Sequence, residues 1–207
     1  MNRGIQDVQF VIKDYLKKVI AQGDIVVDAT AGLGRDTLFL AQCVGAKGKV
    51  YAFDVQEQAI EATRELLRKY NMLSNVELLH DNHSNILKHV PIGVKAVMFN
   101  LGYLPGSANK IVTTPETTIK ALEGALELLT YNGVITIVVY RGHEGGLKES
   151  QALLDFVSKI PKKDFCVLQG NYLNQGETSP YWIIIQKTRR TVDESSKAEK
   201  NTGINNE

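Results

Sequence analysis

A chain of 207 residues is long enough for one substantial core and too short for two large domains, and its 43% hydrophobic and 23% charged residues argue against a fibrous or wholly disordered protein. A net charge of +1 excludes the overall electrostatic footprint of a strongly basic domain, so a nucleic acid would have to be held by a local patch. Cys43 and Cys166 lie in apolar contexts without metal-ligand spacing, and there is neither a signal peptide nor an apolar run long enough to cross a bilayer, so reduced thiols in a cytoplasmic protein are expected, with no metal and no membrane partner.

Val8, Val11, Ile12, Tyr15, Leu16, Val19 and Ile20 recur at three- and four-residue intervals, which predicts a helix ending near Gly23. Residues 25–29 form a first strand, apolar enough to be buried on both faces as in a parallel sheet. The stretch Asp28-Ala29-Thr30-Ala31-Gly32-Leu33-Gly34-Arg35-Asp36-Thr37 then reads as strand end, glycine-rich bend and helix start. Glycines let such a bend approach a ligand closely, and the helix N-terminus offers unpaired N–H groups. Residues 49–53 predict a second strand finishing in Asp54, followed by a helical face of Ala59, Ile60, Thr63, Leu66, Leu67 and Tyr70. A third strand, 76–79, runs into the polar cluster 80–85 and a brief helix through Ile86, Leu87 and Val90. The fourth strand, 96–99, ends in Asn100-Leu101-Gly102-Tyr103.

Thr114 as N-cap and Pro115 at the first helical position start the next helix, which Asn132-Gly133 is expected to stop. Residues 134–140 follow as the strand richest in β-branched side chains. A glycine-rich loop, 141–146, leads to a helix through Leu153, Phe156, Val157 and Ile160, and then to two late strands, 165–169 and 181–186. Alternating strands and helices predict an α/β fold, a doubly wound and mostly parallel sheet with an antiparallel edge strand. One domain over 1–187 and a disordered tail over 188–207, polar and poor in aromatics, complete the expectation.

Ligands of such sheets bind outside the carboxyl ends of the strands. The polar residues gather there: Asp28, Asp54, Asp81 with Asn82, Asn100 and Arg141 each close a predicted strand. Asp54 follows Gly34 by twenty residues, a separation that suits an acidic acceptor for ribose hydroxyls. Adenosine is common to nicotinamide cofactors and S-adenosylmethionine, but the glycines do not follow G-x-G-x-x-G, since Thr37 stands in the third place. Asp28 beside the loop would repel a pyrophosphate and favour a sulfonium with its amino group, which points to S-adenosylmethionine.

The run from Asp28 to Thr37, together with Asp54, Asp81 to Ser84 and Asn100 to Tyr103, resembles the Rossmann-like class I methyltransferases. Within them it resembles the YtqB-like group, labelled rRNA methylases, which accommodates Thr30 where most class I loops have glycine. The resemblance spans residues 1–187 and implies that Gly32 and Gly34 pass beneath the methionine part of the cofactor, within a loop that includes Thr30, Asp36 and Thr37. It further implies that Asp54 holds the ribose with Gln56 beside it, and that Asp81, Asn82, His83 and Ser84 border the adenine. Asn100-Leu101-Gly102-Tyr103 is similar to the Asn-Pro-Pro-Tyr motif of amino-group methyltransferases, with both prolines replaced. It implies Asn100 as hydrogen-bond acceptor for the target nitrogen, Tyr103 as an aromatic packed on the base, and Leu101 and Gly102 as substrate-binding backbone.

His143 is placed to take a proton from an alkylammonium substrate, and Arg141 to contact phosphate or base. Neither cysteine falls where a pyrimidine carbon methyltransferase would need its nucleophile. Members of the group methylate the aminomethyl substituent of a wobble thiouridine in tRNA, which implies a tRNA partner and, for so small a chain, a homodimer to hold it. Arg141, Lys148, Lys159, Lys162, Lys163, Arg189 and Arg190 are the candidate RNA contacts. An rRNA base methyltransferase, a small-molecule N-methyltransferase, and an NAD-dependent oxidoreductase or non-catalytic nucleotide-binding protein are the competing readings.

Overall fold

The computed structural model describes residues 4–101, 113–142 and 145–190. Among them the chain runs α1 (Val8–Val19), β1 (Ile25–Asp28), α2 (Arg35–Val44), β2 (Lys49–Asp54), α3 (Glu57–Lys69), β3 (Val76–His80), a 3-10 turn (His83–Asn85), α4 (Ile86–His89), β4 (Val94–Leu101), α5 (Pro115–Leu128), β5 (Leu129–Val139), α6 (Gly146–Val157), β6 (Phe165–Gly170) and β7 (Tyr181–Lys187). The seven strands form one sheet in the order β3-β2-β1-β4-β5-β7-β6. β1 to β5 are mutually parallel, and β7 pairs antiparallel with both β5 and β6. The expected α/β sheet with an antiparallel pair at one edge is therefore present. The chain's last strand lies one position in from that edge, and β6 takes the edge itself.

Side chains alternate across a strand, and both faces of the central strands are apolar. Val27, Phe53, Val97, Phe99, Ile135 and Ile137 join one core layer under α4, α5 and α6. Val26, Val50, Ala52, Ala96, Met98 and Val138 join the other, under α1 and α2. The alternation carries past the ends of the apolar runs. Asp28, Asp54, Asn100 and Tyr140 have the same parity as Val26, Ala52, Met98 and Val138, so the polar residues at the strand ends lean toward α1 and α2.

Helix α1 is fixed by its buried stripe of Val8, Ile12 and Leu16, worth about 1.5–3 kcal/mol for each large side chain fully removed from water. Asp7 caps it, accepting from the Gln9 backbone N–H at 3.0 Å. Helix α5 starts as its sequence predicts, with Thr114 as cap and Pro115 in the first turn. It stops at Leu128 rather than at Asn132-Gly133, because the chain enters β5 directly. Asn132 has a positive φ of 57°, and the β4–β5 register jumps between Val94 opposite Leu129 and Ala96 opposite Val134, so the Asn-Gly pair forms an irregularity within the strand. β4 is longer than its apolar core suggests and includes Asn100 and Leu101. Among the described residues no helix is long and apolar enough to cross a membrane.

Candidate active site

The carboxyl ends of β1, β2, β4 and β5 open onto a cleft of about 1010 Å³, at the upper end of the size range for a small-molecule or cofactor site. Thr30, Gly32, Asp36, Asp54, Gln56, Asp81, Asn82, His83, Asn100, Leu101 and Arg141, all singled out in the sequence, line it. Asp28, Gly34, Thr37 and Ser84 are not among the lining residues. Gly102, Tyr103 and His143 fall outside the described residues.

The loop after β1 is built from the inside out. Asp28 is fully buried and spends its carboxylate on the chain itself, accepting from the Thr30 N–H at 3.1 Å and the Thr37 hydroxyl at 2.7 Å. It therefore splints the loop from beneath. Burial, and next the neighbouring Asp36 carboxylate, push it from 3.8 up to about 7, against the opposing bonds from Thr37 and Thr30. A folded-state pKa above the unfolded one means that the folded chain holds this proton more tightly. The stability this contributes is complete below about pH 4 and is lost as pH rises through about 7. Asp28→Asn is expected to flatten that fall, which has a slope of up to about 1.4 kcal/mol per pH unit. Urea titrations between pH 5 and 8 measure it, and parallel curves for wild type and variant would refute it.

Gly32 and Gly34 both have positive φ, 55° and 78°. Gly34 is also crowded, since a Cβ there would lie 2.8 Å from the Thr63 Cα, so the bend requires glycine twice over. The Gly32 N–H donates to Asp54 Oδ2 at 2.9 Å, while Asp54 Oδ1 accepts from the Gln56 N–H at 2.9 Å. The acidic end of β2 thus holds the glycine bend and leaves further lone pairs toward the cleft. Leu33 and Val55, exposed apolar side chains, flank it. Thr30, in the place of a glycine, has a positive use: its Oγ1 accepts the Asn100 backbone N–H at 2.8 Å and ties the loop to the end of β4.

The cluster after β3 is largely self-satisfied. Asp81 accepts from the Asn85 side chain at 2.8 Å and the Asn82 N–H at 2.7 Å, and meets His89 Nε2 at 2.8 Å. The His89 and Asn85 bonds hold its carboxyl below the usual carboxylate range. Asn82 caps the 3-10 turn by accepting the Ser84 backbone N–H at 2.9 Å. His83 is buried, with Nδ1 3.0 Å from the Ala29 carbonyl. That bond makes Nδ1 the protonated nitrogen, and burial lowers the ring's pKa, so Nε2 is a free acceptor with no partner among the described residues.

Sequence reasoning passed over Gln9, Lys13 and Tyr140, which also line the cleft. Gln9 Nε2 donates to Asn100 Oδ1, and to the Tyr140 hydroxyl at 3.1 Å. Asn100 Nδ2 donates to Asp36 Oδ2 at 2.6 Å, and Asp36 Oδ1 pairs with Lys13 Nζ at 2.5 Å. Only Tyr140 carried a signal, its place at the end of the fifth strand. Gln9 and Lys13 belong to a helix whose sequence shows only amphipathic packing.

Arg141 donates from Nε and one Nη to the Ser179 carbonyl at 3.2 and 2.8 Å and lies over the Tyr181 ring, so it pins the loop before β7 as well as bordering the cleft. The other basic candidates divide by position. Lys148 lies in the first turn of α6, just after the cleft end of β5. Lys162, Lys163, Arg189 and Arg190 flank the start of β6 and the end of β7, which pair near the opposite end of the sheet. There Arg189 meets Asp164 at 3.1 Å and Arg190 stacks over Tyr131, so these charges face away from the cleft.

Residues 50–186 match the model of a family described as "Putative rRNA methylase". A tRNA (mnm(5)s(2)U34)-methyltransferase, chloroplastic, from Arabidopsis thaliana is 40% identical over 169 residues, which are 77% of this chain and 62% of that protein. The chain thus spans less than two thirds of that relative's length. Two crystal structures superpose over most of both chains. A "putative rRNA-methylase" from Clostridium thermocellum has 44% identity and a TM-score of 0.84, covering 86% of this chain and 95% of its own. A "putative methyltransferase" from Streptococcus mutans, solved in complex with SAH (S-adenosylhomocysteine), has 42% identity and a TM-score of 0.79, covering 90% and 99%.

Proposed function

Because this chain belongs to the "Putative rRNA methylase" family, we propose that it is an S-adenosylmethionine-dependent RNA N-methyltransferase acting on tRNA. Its target is the aminomethyl group of 5-aminomethyl-2-thiouridine at the wobble position, and its product 5-methylaminomethyl-2-thiouridine. The observation that carries this reading is the meeting, in one cleft, of an acidic residue at the end of β2 with a carboxamide at the end of β4. Asp54 suits ribose hydroxyls, and Asn100 suits an N–H. The SAH complex of the streptococcal relative supports the choice of cofactor, and the activity named for the Arabidopsis relative supports the choice of amine.

Bound S-adenosylmethionine supplies an electrophilic methyl group on a sulfonium. The protein's task is alignment and exclusion of water. Gly32 and Gly34 admit the cofactor's amino-acid part, Asp54 fixes the ribose, and Leu33 with Val55 offers apolar contact to the adenosine. Asn100 Oδ1 accepts an N–H of the substrate amine, which turns the nitrogen lone pair toward the methyl group. Tyr103 packs on the base and His143 removes the proton of the alkylammonium, which must be neutral before it attacks. Arg35 and Arg141, cationic residues on the cleft wall, meet the RNA backbone. A homodimer in the cytoplasm completes the reading.

The test is methylation in vitro of tRNA carrying the aminomethyl nucleoside, followed by nucleoside mass spectrometry. The expected result is conversion to the methylaminomethyl nucleoside. The family's description favours rRNA as a second reading, and methylation of rRNA with untouched tRNA would establish it instead. Turnover without RNA would indicate a small-molecule substrate, and calorimetric preference for NAD over S-adenosylhomocysteine would sink the methyltransferase reading altogether.

A further inference from the structure

The carboxamide of Asn100 is held at both ends by groups of opposite hydrogen-bonding character. Its Nδ2 donates to the Asp36 carboxylate at 2.6 Å, and its Oδ1 receives Gln9 Nε2. Asp36 is in turn fixed by Lys13 at 2.5 Å, with the two side chains only 17% and 26% exposed. Gln9 and Lys13 are four residues apart on α1 and so project from one face of the helix. That helix is anchored by the fully buried Ile12 and Leu16. We infer that α1 is a positioning element of the reaction: Gln9 directly, and Lys13 through Asp36, clamp Asn100 from two sides so that its oxygen, and never its nitrogen, is presented as the acceptor.

The physical reason lies in the near-symmetry of a carboxamide. Oxygen and NH₂ are almost the same size, and an unconstrained asparagine can present either. Turned over, Asn100 would set its oxygen against the Asp36 carboxylate and its NH₂ against the Gln9 NH₂. The first contact is repulsive whatever Gln9 does, and the second is repulsive with the Gln9 amide as observed. In the observed orientation the anionic acceptor on Nδ2 polarises the amide and strengthens Oδ1 as an acceptor. A carboxylate oxygen has two lone pairs' worth of acceptor capacity and so does this amide oxygen, so Gln9 occupies one site and leaves one for a ligand N–H. Gln9 Nε2 spends its other hydrogen on the Tyr140 hydroxyl at 3.1 Å, a group that donates as well as accepts, so the Asp36 carboxylate on Nδ2 is what sets the direction of the network.

This inference rests on the proposed role of Asn100 as acceptor for the substrate amine. In Gln9→Leu, kcat for aminomethyl-bearing tRNA is expected to fall about tenfold, with KM for the tRNA and Kd for S-adenosylhomocysteine within twofold. Gln9→Glu, which sets a carboxylate against Oδ1 and favours the turned-over amide, is expected to lose about a further tenfold. The double variant Gln9→Glu with Asp36→Asn reverses both ends of the clamp. It should recover most of the melting temperature lost by Gln9→Glu while kcat stays low, because the oxygen now faces residue 36. A purely structural network would recover activity together with stability, and that result would overturn the inference, as would a kcat for Gln9→Leu within twofold of wild type.

A readout without substrate runs beside these. Hydrogen exchange of the Asn100 side-chain amide, followed by nitrogen-15 NMR, is expected to be at least tenfold faster in Asp36→Ala, which removes the acceptor of Nδ2, than in wild type, and equal rates would overturn the clamp. If wild type fails to methylate the amine while exchange responds as expected, the amine reading falls and the clamp stands.

Discussion

Asp54→Ala is expected to raise the Kd for S-adenosylhomocysteine by 100-fold or more, a loss of about 2.7 kcal/mol, measured by titration calorimetry. Two effects add. The variant lacks the acceptor for the ribose hydroxyls, and it also frees the Gly32 and Gln56 N–H groups that the carboxylate ties at 2.9 Å each. The glycine bend then loses its outer support, although Asp28 still holds it from beneath through Thr30 and Thr37. Asp54→Asn, which retains one oxygen, should lose about tenfold. The protein should stay folded, since Asp54 lies at the end of β2, beyond the apolar side chains that bury the strand. A Kd for Asp54→Ala within threefold of wild type would remove Asp54 from the cofactor site.

Asn100→Ala should behave in the opposite way, with cofactor affinity within twofold of wild type and kcat reduced by about 10²–10³, the usual loss when one oriented polar group of a catalytic site is removed. Its backbone N–H still reaches Thr30 Oγ1, so the tie between β4 and the cofactor loop survives the truncation. The Lys13–Asp36 pair survives as well, because it needs only Asp36 Oδ1. Single-turnover methylation of aminomethyl-bearing tRNA is the measurement. Full activity in Asn100→Ala would end the role of this side chain in orienting the amine. Asn100→Asp is expected to be no better than alanine, because it sets a carboxylate opposite Asp36 where the amide had a donor.

Most of the fold was legible because it rests on local signals. Apolar runs bounded by glycine and asparagine marked the strands, and Thr114-Pro115 marked the start of α5. The exceptions are places where tertiary pairing overrode local chemistry. Asn132-Gly133 has the composition of a stop and instead forms an irregularity in β5, because pairing with β4 extends to Leu129. Within the candidate site, the members that close a strand or lie in the glycine bend were visible, since strand ends are where a doubly wound sheet binds ligands. The roles of Asp28 and Ser84 were less so. Both lie close to ligand-lining residues in sequence, yet the Asp28 carboxylate is taken up by Thr30 and Thr37, and the backbone N–H of Ser84 by Asn82.

By itself the sequence determined which chemistry is available: an acidic acceptor at Asp54, a glycine bend at Gly32 and Gly34, and an amide at Asn100, each delivered to a strand end by the local pattern of the chain. Only the tertiary structure decided how that amide is oriented. Asn100 lies 91 residues from Gln9 and 64 from Asp36, and no periodicity links positions so far apart. What joins them is the parity of β4, which sends Asn100 to the same face as Met98, and the packing of Ile12 and Leu16, which lays α1 over that face. The side chains that clamp Asn100 were therefore chosen by which face of the sheet was covered by which helix, a property of the packed core that no local stretch of sequence contains.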